Sequence, residues 1–228
     1  MPNPPSGHFH RRLRGAVATR LNDAFGLGIG DIPAKPAKRG ADLLFLRRWL
    51  ANPLKVGSVL PSSPALARLI ARNVRVGEDQ AVIELGAGTG AVTRALRASG
   101  IPNDRLFVVE IDGRMAAYLR KQFTGLQVIH GDATNLSQLL PAAWHGRIGT
   151  VICGIPIVNL PLSVQKRIVD ECFSVLAPGG RFLQFTYLPV SPLPKARLGL
   201  TGKRLGTTIL NLPPASVWDY QKIEPEAA

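Results

Sequence analysis

Residues 82–90 read VIELGAGTG, and their reading decides the fold. An apolar run, Ala81, Val82 and Ile83, meets Glu84 and then glycines at 86, 88 and 90, and a helix-forming run over 91–98 follows at once. The pattern is strand, tight turn, helix. Glycines in such a turn let the backbone take positive φ and let a ligand approach with no Cβ in the way. The turn lies at the carboxyl end of a strand, where open α/β sheets bind ligands. It is therefore expected to be the floor of a cofactor site.

The surroundings sharpen this expectation. The spacing is GxGxG, not the GxGxxG of the dinucleotide fingerprint. The next strand, expected over 106–109, ends in Glu110, and a carboxylate there can take both hydroxyls of a ribose. A third, over 126–129, leads into Gly131-Asp132-Ala133, where the acid can accept from an adenine amino group. Three consecutive strands thus each end in an acid. On Glu84-Leu85-Gly86-Ala87-Gly88-Thr89-Gly90, Val109-Glu110-Ile111-Asp112 and Gly131-Asp132-Ala133, the chain resembles the class I S-adenosylmethionine-dependent methyltransferases. The resemblance implies S-adenosylmethionine as cofactor, with S-adenosylhomocysteine as product. It places Glu84, Gly86, Ala87, Gly88, Gly90, Glu110, Ile111, Asp132, Ala133 and Gly154 around that cofactor.

With 228 residues, 46% hydrophobic and 19% charged, the chain reads as one folded domain with an extension. The net charge of +13 is unusual, and ten of those charges fall within residues 1–75, where 13 Lys/Arg face Asp23, Asp31 and Asp42. An anionic partner follows, either nucleic acid or a membrane surface. Cys153 and Cys172 offer neither a disulfide framework nor metal spacing and read as core residues in a reducing cytosol. His130 and His145 lack partners at metal or triad spacing, so no metal site is expected. No 18-residue apolar run exists, since the stretch from Ala41 is broken by Arg47, Arg48 and Lys55. No secretory signal is expected at the N-terminus, while Arg11, Arg12, Arg14 and Arg20 would also suit a transit peptide.

Residues 1–40 are expected to hold a basic amphipathic helix and a linker, and 41–228 the methyltransferase domain. Over 8–25, Phe9, Leu13, Val17, Leu21 and Phe25 recur at helical spacing beside Arg11, Arg12, Arg14 and Arg20. Such a helix either docks on its own domain or lies in a membrane interface, where Phe9, Arg12, Leu13, Val17, Arg20 and Leu21 would make the contact. A second helix is expected over 41–51. A third starts at Ser63 as N-cap with Pro64 in the first helical position and runs over 65–74. Strands and helices then alternate: helices over 114–123 and 162–176, a short one near 135–140, strands over 149–153 and 181–187, and two short strands near 207–210 and 216–220. The expected fold is α/β, a Rossmann-like class I methyltransferase sheet, mostly parallel with a C-terminal antiparallel hairpin, plus an N-terminal helical extension.

The segment after the fourth strand bears on the substrate. Enzymes that methylate exocyclic nucleobase amines place an Asn or Asp there, followed after two residues by an aromatic. This chain has Gly154 and Ile157 at those places. The rRNA adenine dimethyltransferases look similar through residues 84–90 and 110–112 but differ here. A closer resemblance is to the soluble bacterial phosphatidylethanolamine N-methyltransferases, over about residues 43–220. It rests on Phe45-Leu46-Arg47-Arg48-Trp49, Asn52-Pro53-Leu54-Lys55-Val56-Gly57, Pro61-Ser62-Ser63, Gly154-Ile155-Pro156, Gln184-Phe185-Thr186-Tyr187 and Asn211-Leu212-Pro213-Pro214-Ala215.

That resemblance implies methylation of phosphatidylethanolamine, successively to phosphatidylcholine, by an enzyme peripheral to the cytoplasmic face of an anionic membrane. A nucleic-acid methyltransferase is the alternative. Tyr187, at the end of the fifth strand, is the candidate to orient the amine or relay its proton. Ser62 is expected to touch ligand, and Lys203 and Arg204 to hold the lipid phosphate from a basic stretch. Phe185, Trp49 or Trp218 would add cation–π contacts to methylated ammonium.

Overall fold

The computed structural model describes residues 62–223. Phe9, Arg12, Leu13, Val17, Arg20 and Leu21, the helix expected over 41–51, Trp49 and Lys55 lie outside the described residues.

Helix α1 (Pro64–Asn73) starts as its sequence dictates. Ser63 is extended, its hydroxyl accepts from the Leu66 N–H at 3.2 Å, and Pro64 stands where no N–H is needed. Its buried stripe is Leu66, Ala67 and Ile70. Then come β1 (Ala81–Leu85), α2 (Ala91–Ala98), β2 (Leu106–Glu110), α3 (Gly113–Gln122), β3 (Gln127–His130), α4 (Leu136–Leu139), β4 (Ile148–Cys153), α5 (Leu162–Val175) and β5 (Leu176–Thr186). Helix α6 (Lys195–Leu198), β6 (Leu200–Thr208) and β7 (Ala215–Lys222) complete the order. Every residue of β1, β2 and β4 is buried, as expected for parallel strands covered on both faces.

The seven strands form one sheet in the order β3-β2-β1-β4-β5-β7-β6. Strands β1 to β5 pair in parallel, and β7 runs antiparallel between β5 and β6. The sheet is the one the sequence predicts. Its order reverses between β1 and β4, so the crevice outside their carboxyl ends is the natural ligand site.

Two boundaries need correction. Strand β5 starts at Leu176, five residues earlier than expected, because Pro178-Gly179-Gly180 bulges within the strand: Ile148 pairs with Leu176, but Thr150 already pairs with Arg181. Strand β6 starts at Leu200, so Lys203 and Arg204 sit on an edge strand. From sequence this strand is expected only near 207–210, with the basic stretch before it. A Cβ on Gly202 would lie 2.6 Å from the Tyr220 ring, so the strand needs glycine to seat that ring. The hairpin is fastened by Arg181, which donates to Asp219 from Nε at 3.0 Å and lies 2.9 Å from it through Nη2. The same guanidinium reaches the Asn73 carbonyl at 2.8 Å, so one buried cation ties β5, β7 and α1 together.

Candidate active site

The turn after β1 is built on left-handed glycines, with φ of +69° at Gly86, +54° at Gly88 and +77° at Gly90. Each glycine has a different reason. A Cβ on Gly86 would lie 3.0 Å from the Ile155 side chain, and one on Gly90 would lie 2.4 Å from the Phe123 ring. One on Gly88 would meet nothing within 4 Å, so Gly88 is the open point of the cradle. The Gly86 N–H donates to the Val109 carbonyl at 2.8 Å, which ties the turn to the end of β2. Ala87 packs its side chain against the core, leaving only its backbone to a ligand.

Glu110 is buried and held by two backbone donors, Gly88 N–H at 3.2 Å and Asp112 N–H at 3.1 Å. A carboxylate has about four acceptor positions, so the two left over are oriented and available. Asp112 spends its own carboxylate on capping α3, through the N–H groups of Arg114 and Met115. The Ile111 carbonyl accepts from His130 Nε2 at 3.1 Å, which gives that histidine a structural use. Asp132 accepts the Thr134 N–H on Oδ1 at 2.9 Å, while Oδ2 is buried without a partner. An orphaned buried acceptor is costly, and a donor such as an adenine amino group would satisfy it. The open glycine, the oriented carboxylate and the orphaned oxygen together fit S-adenosylmethionine. Ala133 is buried beside Asp132.

Glu84 is placed differently. Its side chain lies beneath the turn, fully buried, and accepts from the Thr93 hydroxyl at 2.6 Å. Burial pushes its pKa from 4.5 to about 7, against the hydrogen bond from Thr93, and the nearby Glu110 charge adds to the rise. Glu84 therefore acts on the shape of the turn from below. Thr93 escaped the sequence reading because a threonine on an amphipathic helix carries no signal of its partner.

After β4 the chain turns against the glycine cradle. The Gly154 N–H donates to the Leu85 carbonyl at 2.7 Å, and a Cβ at 154 would sit 2.7 Å from the Gly86 carbonyl oxygen. No side chain fits there without moving backbone. Ile157 is buried and offers no stacking surface. Gln184 braces this turn by donating to the Ile155 carbonyl at 3.1 Å, a positioning role that the sequence reading did not assign.

Tyr187 and Ser62, named separately from sequence, come together through a side-chain hydrogen bond. Burial raises the Tyr187 pKa above its ordinary 10, and the bond to Ser62 opposes the rise. Phe185 and Tyr187 pack their rings edge to face, with centres 6.3 Å apart. Lys203 and Arg204 are not brought to this group. They are exposed on β6, paired with Asp219 and Trp218, two strands from β5, and the Arg204 guanidinium lies 6.0 Å from the centre of the Trp218 ring. Cys153 and Cys172 are buried free thiols, as expected of core residues, and burial pushes Cys153 up to about 12.

A family model described as a methyltransferase domain matches residues 82–180. An ornithine lipid N-methyltransferase from Singulisphaera acidiphila is 34% identical over 149 residues, 64% of this chain and 78% of that protein. A ribosomal RNA small subunit methyltransferase A from Afipia carboxidovorans is 42% identical over 115 residues, which span 48% of this chain but only 37% of that protein. Among solved structures, a TehB-like S-adenosylmethionine-dependent methyltransferase from Corynebacterium glutamicum shares the fold at a TM-score of 0.50 and 12% identity, over 80% of this chain and 98% of that one. Sheet order, cradle and relatives agree: the chain belongs to the class I S-adenosylmethionine-dependent methyltransferases.

Proposed function

We propose that the chain methylates the amine of phosphatidylethanolamine, successively, to phosphatidylcholine, at the surface of an anionic membrane. One observation carries the choice of substrate class. The turn that would present an Asn or Asp and an aromatic to a nucleobase has a glycine that admits no side chain and a buried isoleucine. A small, flexible amine needs neither group. The ornithine lipid N-methyltransferase relative supports a lipid amine as the acceptor.

Gly86, Gly88, Gly90 and Gly154 would shape the cofactor floor, with Glu110 taking the ribose and Asp132 the adenine. When bound, S-adenosylmethionine supplies a methyl group on a sulfonium, ready for in-line displacement. The protein's task is to hold the amine in line, and proximity and orientation supply much of the rate. An alkyl ammonium, with a pKa of about 10.4, must first lose a proton. Tyr187, a neutral phenol at physiological pH, accepts a hydrogen bond from the amine and orients it with Ser62 behind. As a neutral phenol it already carries its proton and cannot take another, so the ammonium proton passes on to water. Lys203 and Arg204, from the sheet edge, meet membrane phosphates more readily than the phosphate of the reacting lipid. The N-terminal helix, with Phe9, Arg12, Leu13, Val17, Arg20 and Leu21, anchors the enzyme to the cytoplasmic face.

A second reading, favoured by the same relative, is methylation of an ornithine lipid. Radiolabelled methyl transfer by the purified chain into phosphatidylethanolamine vesicles, ornithine lipid vesicles and ribosomal RNA tests all three substrates. Label is expected in phosphatidylethanolamine. Label in ornithine lipid alone would move the head group, and label in RNA alone would end the lipid reading.

A further inference from the structure

The molecule's exposed apolar side chains are unevenly distributed. Among the described residues, the three most exposed large ones are Ile209 at 81%, Leu210 at 75% and Leu212 at 84%, all in the loop joining β6 to β7. Val158, after β4, and Val190, after β5, are also exposed. Those three loops, residues 154–161, 187–194 and 209–214, contain no charged residue. They also share one end of the sheet. Ser216 pairs with Thr186 at the end of β5 and with Thr207 near the end of β6, so the hairpin tip rises from the level at which β5 gives way to Tyr187. An apolar rim thus stands on the side of the site away from Glu110 and Asp132.

The tip is held in place. Asn211, between the two exposed leucines, is only 4% exposed. Its Oδ1 accepts the Ser63 N–H at 3.0 Å and its Nδ2 donates to the Pro213 carbonyl at 2.8 Å. Ser63 adjoins Ser62, the partner of Tyr187. The loop is therefore pinned at the mouth of the site, with its leucines turned to solvent around a buried amide. Contiguous exposed apolar side chains rimmed by polar residues mark a protein or membrane contact. Charge decides which. From 187 to 218 the chain has Lys195, Arg197, Lys203 and Arg204 and no acid, and the first acid beyond, Asp219, is buried against Arg181. An uncharged apolar tip, on a hairpin whose exposed charges farther along the strands, Lys203, Arg204 and Lys222, are all basic, matches the interface of an anionic bilayer, whose surface attracts Lys and Arg.

We propose that residues 209–212 insert into the surface of an anionic bilayer and seat the active-site mouth on it, as a second membrane contact separate from the N-terminal helix. The proposal rests on the lipid reading above. Insertion would let a head-group amine reach Tyr187 without its acyl chains leaving the membrane.

The test uses the full chain and vesicles of phosphatidylethanolamine and phosphatidylglycerol. Both native cysteines are buried, so a thiol-directed environment-sensitive fluorophore will label Leu210→Cys selectively. Vesicles should shift its emission to the blue, and nitroxide-bearing acyl chains should quench it. The same label on Ser174→Cys, at an exposed position near the end of α5, should show neither effect. Independently, Ile209→Asp with Leu212→Asp should lower methylation of vesicle-embedded phosphatidylethanolamine by about tenfold or more. On a short-chain form dispersed as monomers it should stay within about twofold of wild type.

An unshifted, unquenched label at 210 on vesicles that the protein demonstrably binds would overturn the proposal. So would an equal loss on both lipid forms, which would make the tip part of the fold, or a change in oligomeric state with unchanged vesicle activity, which would make it a protein contact. If the label is immersed but neither lipid form is methylated, the membrane contact stands and the head-group reading falls.

Discussion

Strands β1, β2 and β3 each bring a carboxylate to the ligand end of the sheet: Glu84 under the glycine turn, Glu110 at the end of β2 and Asp132 after β3. The loops after β4 and β5 and the hairpin tip bring none. The first half must hold a polar cofactor in a fixed pose, so it spends backbone N–H groups and buried acids on directed hydrogen bonds. The second half carries small, apolar and neutral groups there, Gly154, the buried Ile157 and Tyr187, which on the proposed function leaves the polar head of the substrate few partners. On the proposed function, specificity on that side would come from what fits and what surface the mouth rests on. The absence of charge is as informative there as its presence is across the cleft.

The largest break in this comparison is Gly154→Asn, which puts a nucleobase-type amide into the neutral half. Its Cβ would collide with the Gly86 carbonyl. Displacing that backbone spreads into the cradle, so cofactor affinity by calorimetry should fall about a hundredfold or more, with activity following.

Next comes Glu84→Gln. The folded carboxyl keeps its proton to about pH 7, whereas the unfolded one titrates near its ordinary 4.5. Between those values the folded state binds more protons, so wild-type stability from this group is full below about 4.5 and is lost as pH rises through 7. The glutamine removes that dependence. Denaturant unfolding without cofactor should show no difference at low pH and an advantage to the variant above pH 7 that approaches about 3 kcal/mol at most.

Glu110→Ala would remove the acceptor proposed for the ribose and leave the Gly88 and Asp112 N–H groups without their partner. Cofactor affinity should fall by about 2 kcal/mol, some thirtyfold, and unchanged affinity would remove Glu110 from the cofactor site. The smallest effect is on the neutral side. Tyr187→Phe should lower kcat about tenfold with cofactor affinity near wild type, and full turnover would assign the hydroxyl to packing.

The cofactor half was legible because its chemistry is local in sequence: glycines at fixed spacing in one turn, and acids at the ends of runs that read as strands. Ser63 and Pro64 likewise announced the start of α1. What escaped depends on distant partners. Nothing near Gly202 says that Tyr220 will lie across it, so only the last residues of β6 read as strand and Lys203 and Arg204 read as a basic stretch before it. Gln184 could be quoted in a motif but not given its brace on Ile155, 29 residues away. Asn211 looks like any turn asparagine until its amide is seen bonded to Ser63, 148 residues earlier. Pro178-Gly179-Gly180 reads as a break before the fifth strand, yet β5 accommodates it as a bulge without ending.

The central claim, a polar cofactor cradle facing a neutral mouth for a lipid amine, is tested most directly by expressing the chain in a bacterium whose membrane has phosphatidylethanolamine but no methylated lipid. Mass spectrometry of the extracted lipids should then show phosphatidylethanolamine carrying one, two and three added methyl groups, all absent from cells expressing Gly86→Val. Unchanged lipids alongside newly methylated adenines in ribosomal RNA would contradict the account.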